Sequence, residues 1–203
     1  MCVHQYDENG EVIQSDGTVQ DITNRKIADE QIRHLAMTDH LTDLANRSHF
    51  HRRFNENIKL AYREEKRLAL MIFDLDRFKP VNDTFGHLVG DALLQEVASI
   101  LLKHSRETDV VARIGGDEFA VLVVHPESRR NIEMIALRII SEISLPKTIM
   151  GHELTVGISI GISLYPDDSN DDEKLFHMSD LALYEAKRQG RNCHCFYEPS
   201  LET

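Results

Sequence analysis

Residues 68–76 read LALMIFDLD, and the run Leu68–Leu75 is the most apolar stretch of strand length in the chain. A run apolar at every position from Leu68 to Phe73, lacking the alternation of a half-wet strand, belongs to a central strand covered on both faces. Asp74 and Asp76 end it. Alternation along a strand points these two carboxylates one way and Leu75 the other. Upstream, Phe50, Phe54, Ile58 and Ala61 recur at helical spacing and predict a helix over about Arg47–Glu65. Downstream, Leu94, Val97, Ala98, Leu101 and Leu102 predict a helix over Asp91–Lys103. Val110–Ile114 and Glu118–Val124 are strand-like runs split by Gly115-Gly116, which favours a tight hairpin. A helix over 130–143, a strand over Leu154–Leu164, a helix over Glu173–Gln189 stopped by Gly190, and an edge strand over Cys193–Tyr197 complete the series. The order is α-β-α-β-β-α-β-α-β. One hairpin within a crossover-linked series implies an α/β (α+β) fold with a mixed sheet flanked by helices.

The 203 residues suit one ordinary domain with a short attachment. At 41% hydrophobic and 28% charged residues, the composition is that of a globular protein. Twenty-three basic against 34 acidic residues leave a formal net charge of −11, which argues against long nucleic acid as a partner. A small anion held by a few local cations remains compatible. Three cysteines make no disulfide framework, and no run approaches the 18 apolar residues of a membrane span.

Residues 1–22 are polar and carry the turn signals Asn9-Gly10 and Asp16-Gly17, which suggest a hairpin at the trailing edge of something larger. Residues 23–37 read as a linker helix that Asp21 or Thr23 can cap. Their thin apolar stripe of Ile27, Ile32, Leu35 and Ala36 suits either a helix that pairs with its own copy or a solvated connector.

Chemistry concentrates where carboxylates abut buried strands. If the strands ending at Asp76 and starting at Glu118 are neighbours, Asp74, Asp76, Asp117 and Glu118 converge as up to four carboxylates. Like charges that close raise each other's pKa, and an oxygen-bound hard cation such as Mg²⁺ is the usual relief. Each acid taken alone also reads as a strand end or turn former. Gly115-Gly116 permits close backbone approach of a ligand, and Gly86 and Gly90 flank the start of the Asp91 helix. Asn82 and Asp91 form a polar pair able to read a base edge with adjacent donors and an acceptor, or to act as two caps. Lys187 and Arg191 straddle a helix end, where cations are favourable in any protein and where they could also cover phosphate. Cys193-His194-Cys195 sets its cysteines on one side and the histidine on the other, so it reads as a pair of small hydrophobes rather than a metal site.

The motifs taken in order resemble the GGDEF family of diguanylate cyclases. The signature Gly115-Gly116-Asp117-Glu118-Phe119 follows Arg113. Around it stand DHLTDLANR (39–47), FDLDRFKPVND (73–83), GHLVGDALL (86–94) and YEAKRQGRN (184–192). The resemblance spans residues 38–197 and leaves 198–203 as a tail. Residues 1–22 resemble the end of a PAS sensor domain and 23–37 its linker helix.

This resemblance implies a palm-like fold shared with class III nucleotidyl cyclases. It further implies a homodimer that joins two GTP molecules into cyclic di-GMP. Matching positions make Asp74, the Leu75 carbonyl and Glu118 ligands of Mg²⁺ (or Mn²⁺), two ions per GTP site, with Asp117 beside them as a further ligand or proton acceptor. Asn82 and Asp91 fall on guanine-reading positions. Phe78 and Lys79, in a loop around the phosphates, and Lys187 and Arg191 fall on phosphate-binding ones. Arg106 and Asp109 match the RxxD product-inhibition motif. Arg77 and Asp43 depart from residues common in the family, an aromatic and a glycine. A silent GTP or cyclic di-GMP receptor on the same fold is the alternative. A cytoplasmic setting is expected, whatever its parent chain is attached to.

Overall fold

The computed structural model describes residues 2–17 and 37–202, in two units divided between Ala36 and Met37. In the first unit, strands β1 (Cys2–Tyr6) and β2 (Val12–Gly17) pair antiparallel. Their turn is built as the sequence suggests. The Asp7 carboxylate accepts the backbone N–H groups of Asn9 (2.9 Å) and Glu11 (2.8 Å), and Gly10 takes φ +84°. The linker-helix expectation falls on 23–37, of which all but Met37 lie outside the described residues.

The second unit begins with a short strand, β3 (Ala45–Asn46), and helix α1 (Arg47–Glu64), whose first turn is capped by the Asn46 side chain. The apolar run becomes β4 (Leu68–Asp76), followed by helices α2 (Phe78–Phe85) and α3 (His87–Lys103). Then come β5 (Val110–Gly115), β6 (Glu118–Val124) and α4 (Arg129–Ile143). A ribbon of β7 (Lys147–Ile149) and β8 (His152–Leu154) precedes β9 (Gly157–Tyr165), α5 (Asp172–Arg188) and β10 (His194–Phe196).

The main sheet runs β10-β9-β4-β6-β5-β3, so β4 lies inside it as expected. Its neighbours β6 and β9 are antiparallel to it, whereas the edge pairs β10–β9 and β3–β5 are parallel. Alternation along β4 divides the core. Met71, Phe73 and Leu75 pack with Leu93, Leu101 and Ile139 of α3 and α4. Leu68, Leu70 and Ile72 pack with Phe50 and Phe54 of α1 and Leu175 of α5.

Three local expectations are corrected. The segment holding Phe78 and Lys79 is the first turn of helix α2, not a loop; its Pro80 sits in the first turn, where a missing N–H costs nothing. The next helix starts at His87 rather than Asp91, because Gly86 (φ +87°) is its cap, and this places Asp91 within the helix instead of at its start. The strand expected over 154–164 divides at Thr155-Val156 into the end of β8 and the whole of β9.

One close contact fixes helix α5. A Cβ on Gly161 of β9 would overlap the Ser179 carbonyl and the Leu183 amide. The buried Ser179 hydroxyl donates to Ser163 Oγ (2.8 Å) and lies 3.3 Å from the Leu70 carbonyl oxygen. Helix α5 thus lies almost directly on β9 and β4, and its C-terminal turn reaches the end of β4.

Candidate functional site

The register of β4 against β6 pairs Asp74 with Glu118, and the Leu75 N–H donates to the Asp117 carbonyl (3.3 Å). The two carboxylate segments are therefore cross-strand neighbours, as the sequence reading required. Glu118 is held above the usual carboxylate range by partial desolvation and then by the charges of Asp74, Asp180 and Asp117, with Lys187 opposing. Asp117 is likewise raised, first by desolvation and further by Asp74, against Lys187 and Arg113. The fourth acid of the group is Asp180 on α5, which lines a 280 Å³ hollow with Glu118. Desolvation raises its carboxyl too.

Asp76, expected among the converging acids, is used otherwise. It is buried, with 6% of its surface exposed. Its Oδ1 accepts the Ser159 hydroxyl (2.8 Å) and its Oδ2 the Asn192 backbone N–H (2.9 Å). Its partners come from β9 and the loop after α5, elements whose approach no local pattern in the sequence reveals.

Lys187 Nζ lies 2.8 Å from Asp74 Oδ2. Arg191 Nε lies 3.9 Å from Asp76 Oδ1. Arg191 stands in a left-handed turn in which Gly190, Arg191 and Asn192 all have positive φ. Arg77 and Asp43, the two departures from the family pattern, both sit at left-handed positions (φ +61° and +58°). Glycine suits such a position best, and aspartate tolerates it better than most residues.

Asn82 on α2 packs against Gly90 of α3, where any Cβ would overlap its Oδ1. That oxygen is buried without a hydrogen-bond partner among the described residues. An orphan acceptor packed against Gly90, the residue before Asp91 in the chain, suits a ligand edge rich in N–H donors.

Arg106 and Asp109 lie just before β5, at the opposite end of that strand from Gly115. Asp109 accepts the backbone N–H of Arg106 (2.8 Å) through Oδ2 and of Val124 (2.9 Å) through Oδ1. Arg106 pairs with exposed Glu127 (3.2 Å) and lines a 590 Å³ concavity that also holds Arg53 and His49.

A clamp that no local sequence pattern reveals holds the Gly116 turn. Arg113 donates to the Gly116 carbonyl through Nε (2.9 Å) and Nη2 (2.8 Å), and its Nη1 pairs with Asp39 (3.1 Å). Burial would raise the Asp39 carboxyl, but Thr42 and Arg113 outweigh it and hold the group below the usual range. Only the presence of both residues in the quoted motifs hinted at this pair. In the Cys193-His194-Cys195 segment, burial pushes the Cys195 thiol up to about 11 and raises that of Cys193, which disfavours the thiolate a metal needs.

No three His, Cys, Asp or Glu side chains form a ready-made metal cage among the described residues. What exists is an all-oxygen set on two adjacent strands whose like-charge repulsion Lys187 offsets only in part, a donor chemistry that fits a hard cation sharing its shell with phosphate. No helix among the described residues is long and apolar enough to cross a membrane.

Comparison with known proteins gives the same outline. The family described as "Diguanylate cyclase, GGDEF domain" matches residues 36–193. The bifunctional diguanylate cyclase/cyclic di-GMP phosphodiesterase MucR of Pseudomonas aeruginosa is 41% identical over 174 residues, 86% of this chain but 25% of MucR. The isolated GGDEF domain of TpbB from the same organism superposes with a TM-score of 0.79 at 37% identity, covering 81% of this chain and 96% of that one. The coiled coil and GGDEF domain of DgcB from Caulobacter crescentus, solved with cyclic di-GMP, gives a TM-score of 0.79 at 29% identity, covering 87% of this chain and 93% of that one.

Proposed function

Because the chain belongs to the GGDEF family of diguanylate cyclase domains, we propose that it condenses two GTP molecules into cyclic di-GMP and two pyrophosphates across a homodimer. The observation that carries this reading is the register pairing of Asp74 with Glu118, with Asp117 alongside. Carboxylates that repel one another cost folding free energy, which a bound metal with its triphosphate would offset.

Asp74, Glu118 and the Leu75 carbonyl would hold Mg²⁺ or Mn²⁺, two ions per GTP site, with Asp117 adjacent. Bound metal lowers the charge of the triphosphate and makes the α-phosphorus more electrophilic. Asn82 Oδ1 accepts from the guanine N–H edge and the Asp91 carboxylate takes a second donor. The backbone N–H groups of Phe78 and Lys79, at the start of α2, face the phosphates together with Lys187 and Arg191. Asp117, its carboxyl raised, is suited to take the proton of the 3′-hydroxyl as that oxygen attacks the α-phosphorus of the partner subunit's GTP.

Each GTP site supplies one nucleophile and one electrophile to its twin, so rate depends on how two subunits align. Residues 1–22, as the end of a PAS-like sensor, and 23–37, as a pairing helix, are the natural lever for that alignment, with 38–197 as the catalytic domain. Arg106 and Asp109 form a feedback site for cyclic di-GMP. With both Asp109 oxygens engaged by backbone amides, Arg106 carries most of that contact.

The test is incubation of the purified protein with GTP and Mg²⁺, followed by chromatography. Cyclic di-GMP and pyrophosphate in a 1:2 ratio, with a rate per subunit that rises with protein concentration, are expected. Tight GTP binding with no product at any protein concentration would instead establish a receptor.

A further inference from the structure

We infer that Asp76 is a positioning residue whose work is to hold Arg191 against the terminal phosphates of the nucleotide. The inference rests on the phosphate-binding role proposed above for Arg191.

Three observations converge on it. First, Asp76 is a buried carboxylate at the end of the central strand, yet it stands apart from the acids that repel one another around Asp74. Its two oxygens are divided between Ser159 of β9 and the backbone of Asn192. Second, the segment Gly190-Arg191-Asn192 has three successive positive φ values, +115°, +68° and +49°. Such a path is costly for Arg, though Asn tolerates it better, so at Arg191 it persists only where neighbours enforce it. The Asn192 side chain supplies part of that enforcement, accepting the Ser144 hydroxyl (2.8 Å) and the Ile158 N–H (3.3 Å). Third, the anchorage needs close approach. A Cβ at Gly157 would lie 2.9 Å from Asp76 Oδ2 and 3.1 Å from Asn192 Oδ1. Glycine at the start of β9 thus lets strand and loop share one carboxylate.

The consequence for Arg191 is geometric and electrostatic. Its backbone is pinned at the next residue, and its Nε stands 3.9 Å from Asp76 Oδ1 while half of the side chain stays exposed. Asp76 thus draws the root of the guanidinium inward, and the outer N–H groups remain available to an anion. A long side chain ordered in advance loses less freedom when it grips phosphate. Lys187 is held in a parallel way, with its Nζ 2.8 Å from Asp74 Oδ2.

Asp76→Asn separates this role from folding. One amide orientation turns a donor toward the Asn192 N–H. The other keeps both hydrogen bonds but sets an NH₂ group opposite Arg191. Either way one function of the carboxylate is lost. The probes are 3′-deoxy-GTP, which carries all three phosphates but no nucleophile, and GMP, which lacks the terminal two. Both are titrated calorimetrically with Mg²⁺. Wild type should prefer 3′-deoxy-GTP, and Arg191→Ala should narrow that preference; if it does not, the phosphate role of Arg191 falls and the inference with it. Given that result, Asp76→Asn should narrow the preference by about 10–100-fold, the loss of one charge-assisted contact. GMP affinity should be unchanged. In an Arg191→Ala background Asp76→Asn should narrow it no further. Asn192→Ala should act in the same direction and serves if Asp76→Asn does not fold. A wild-type preference in Asp76→Asn, equal losses for both probes, or an undiminished effect without Arg191 would overturn the inference while leaving the Arg191 assignment intact.

Discussion

Lys187 Nζ rests 2.8 Å from Asp74 Oδ2, so the lysine proposed to meet the triphosphate is also the counter-charge of a proposed metal ligand. Metal on Asp74 would displace Lys187 toward the phosphates. Removing the lysine therefore has opposite effects on two ligands. Lys187→Met should weaken GTP binding by about tenfold, the cost of one charged contact. It should also tighten Mn²⁺ binding in the absence of nucleotide, because no internal cation competes for Asp74. Paramagnetic resonance of free Mn²⁺ reads the second effect, and unchanged or weaker Mn²⁺ binding would refute the competition.

The acids should also act oppositely on activity and on stability. Glu118 has a raised carboxyl, so the folded protein binds its proton more tightly than the unfolded chain does. The sign follows: stability falls as pH rises from the ordinary value of 4.5 through the raised one, and at neutral pH the ionised group is a cost to folding. Glu118→Gln should abolish turnover yet raise the melting temperature of the metal-free protein at pH 7. A variant that melts lower would show that Glu118 is structural.

Base selection is expected to depend on a residue that touches no base. Gly90→Ala pushes a methyl group into Asn82 Oδ1 and should displace that side chain. We expect GTP affinity to drop by about tenfold or more, the scale of a lost hydrogen bond with an acceptor left buried. Asp91→Ser should instead raise the use of ATP relative to GTP. Competition assays with both nucleotides check the pair, and an unchanged preference in Asp91→Ser removes that residue from base reading.

At the far end of β5, Arg106→Ala should abolish cyclic di-GMP binding and relieve product inhibition while initial GTP turnover is kept. Asp109→Ala should cost stability as well, because two backbone N–H groups lose their acceptor. About 1–3 kcal/mol is expected for each one left buried and unpaired. Calorimetry with the product and thermal melts separate the two residues; equal product affinity in Arg106→Ala and wild type rejects the site.

The Arg113 clamp has an acid limit. The Asp39 carboxyl is held below its ordinary 3.8, so its stabilising contribution is full above that pH and is lost as pH falls through the lowered value. Acid unfolding followed by circular dichroism should show Asp39→Asn less stable than wild type at pH 6, with the gap closing below about pH 4. A gap that persists at low pH would assign the loss to packing instead.

The central strand, the Gly115-Gly116 hairpin and the apolar faces of α1, α3, α4 and α5 were all legible in the order of residues. Each is a local pattern, periodic or punctuated by glycine, that a short window records completely. The same order puts Asp74 and Glu118 at strand ends, where they would meet if those strands were neighbours. Tertiary structure decided what lies across the chain. Asp76 has the same spacing logic as Asp74, but its partner Asn192 is 116 positions away and reaches it only because α5 closes onto Gly161. The fourth acid near Glu118 is Asp180 on that same helix rather than Asp76. Helix α2 stands where the resemblance implied a loop at Phe78 and Lys79: Pro80 and Asn82 are weak helix formers, and the left-handed Arg77 and the α3 contact at Gly90 accompany their helical turn. Periodicity fixes which face of an element is buried; which residues of two distant elements share that face depends on strand register and helix approach, and those are properties of the packed core.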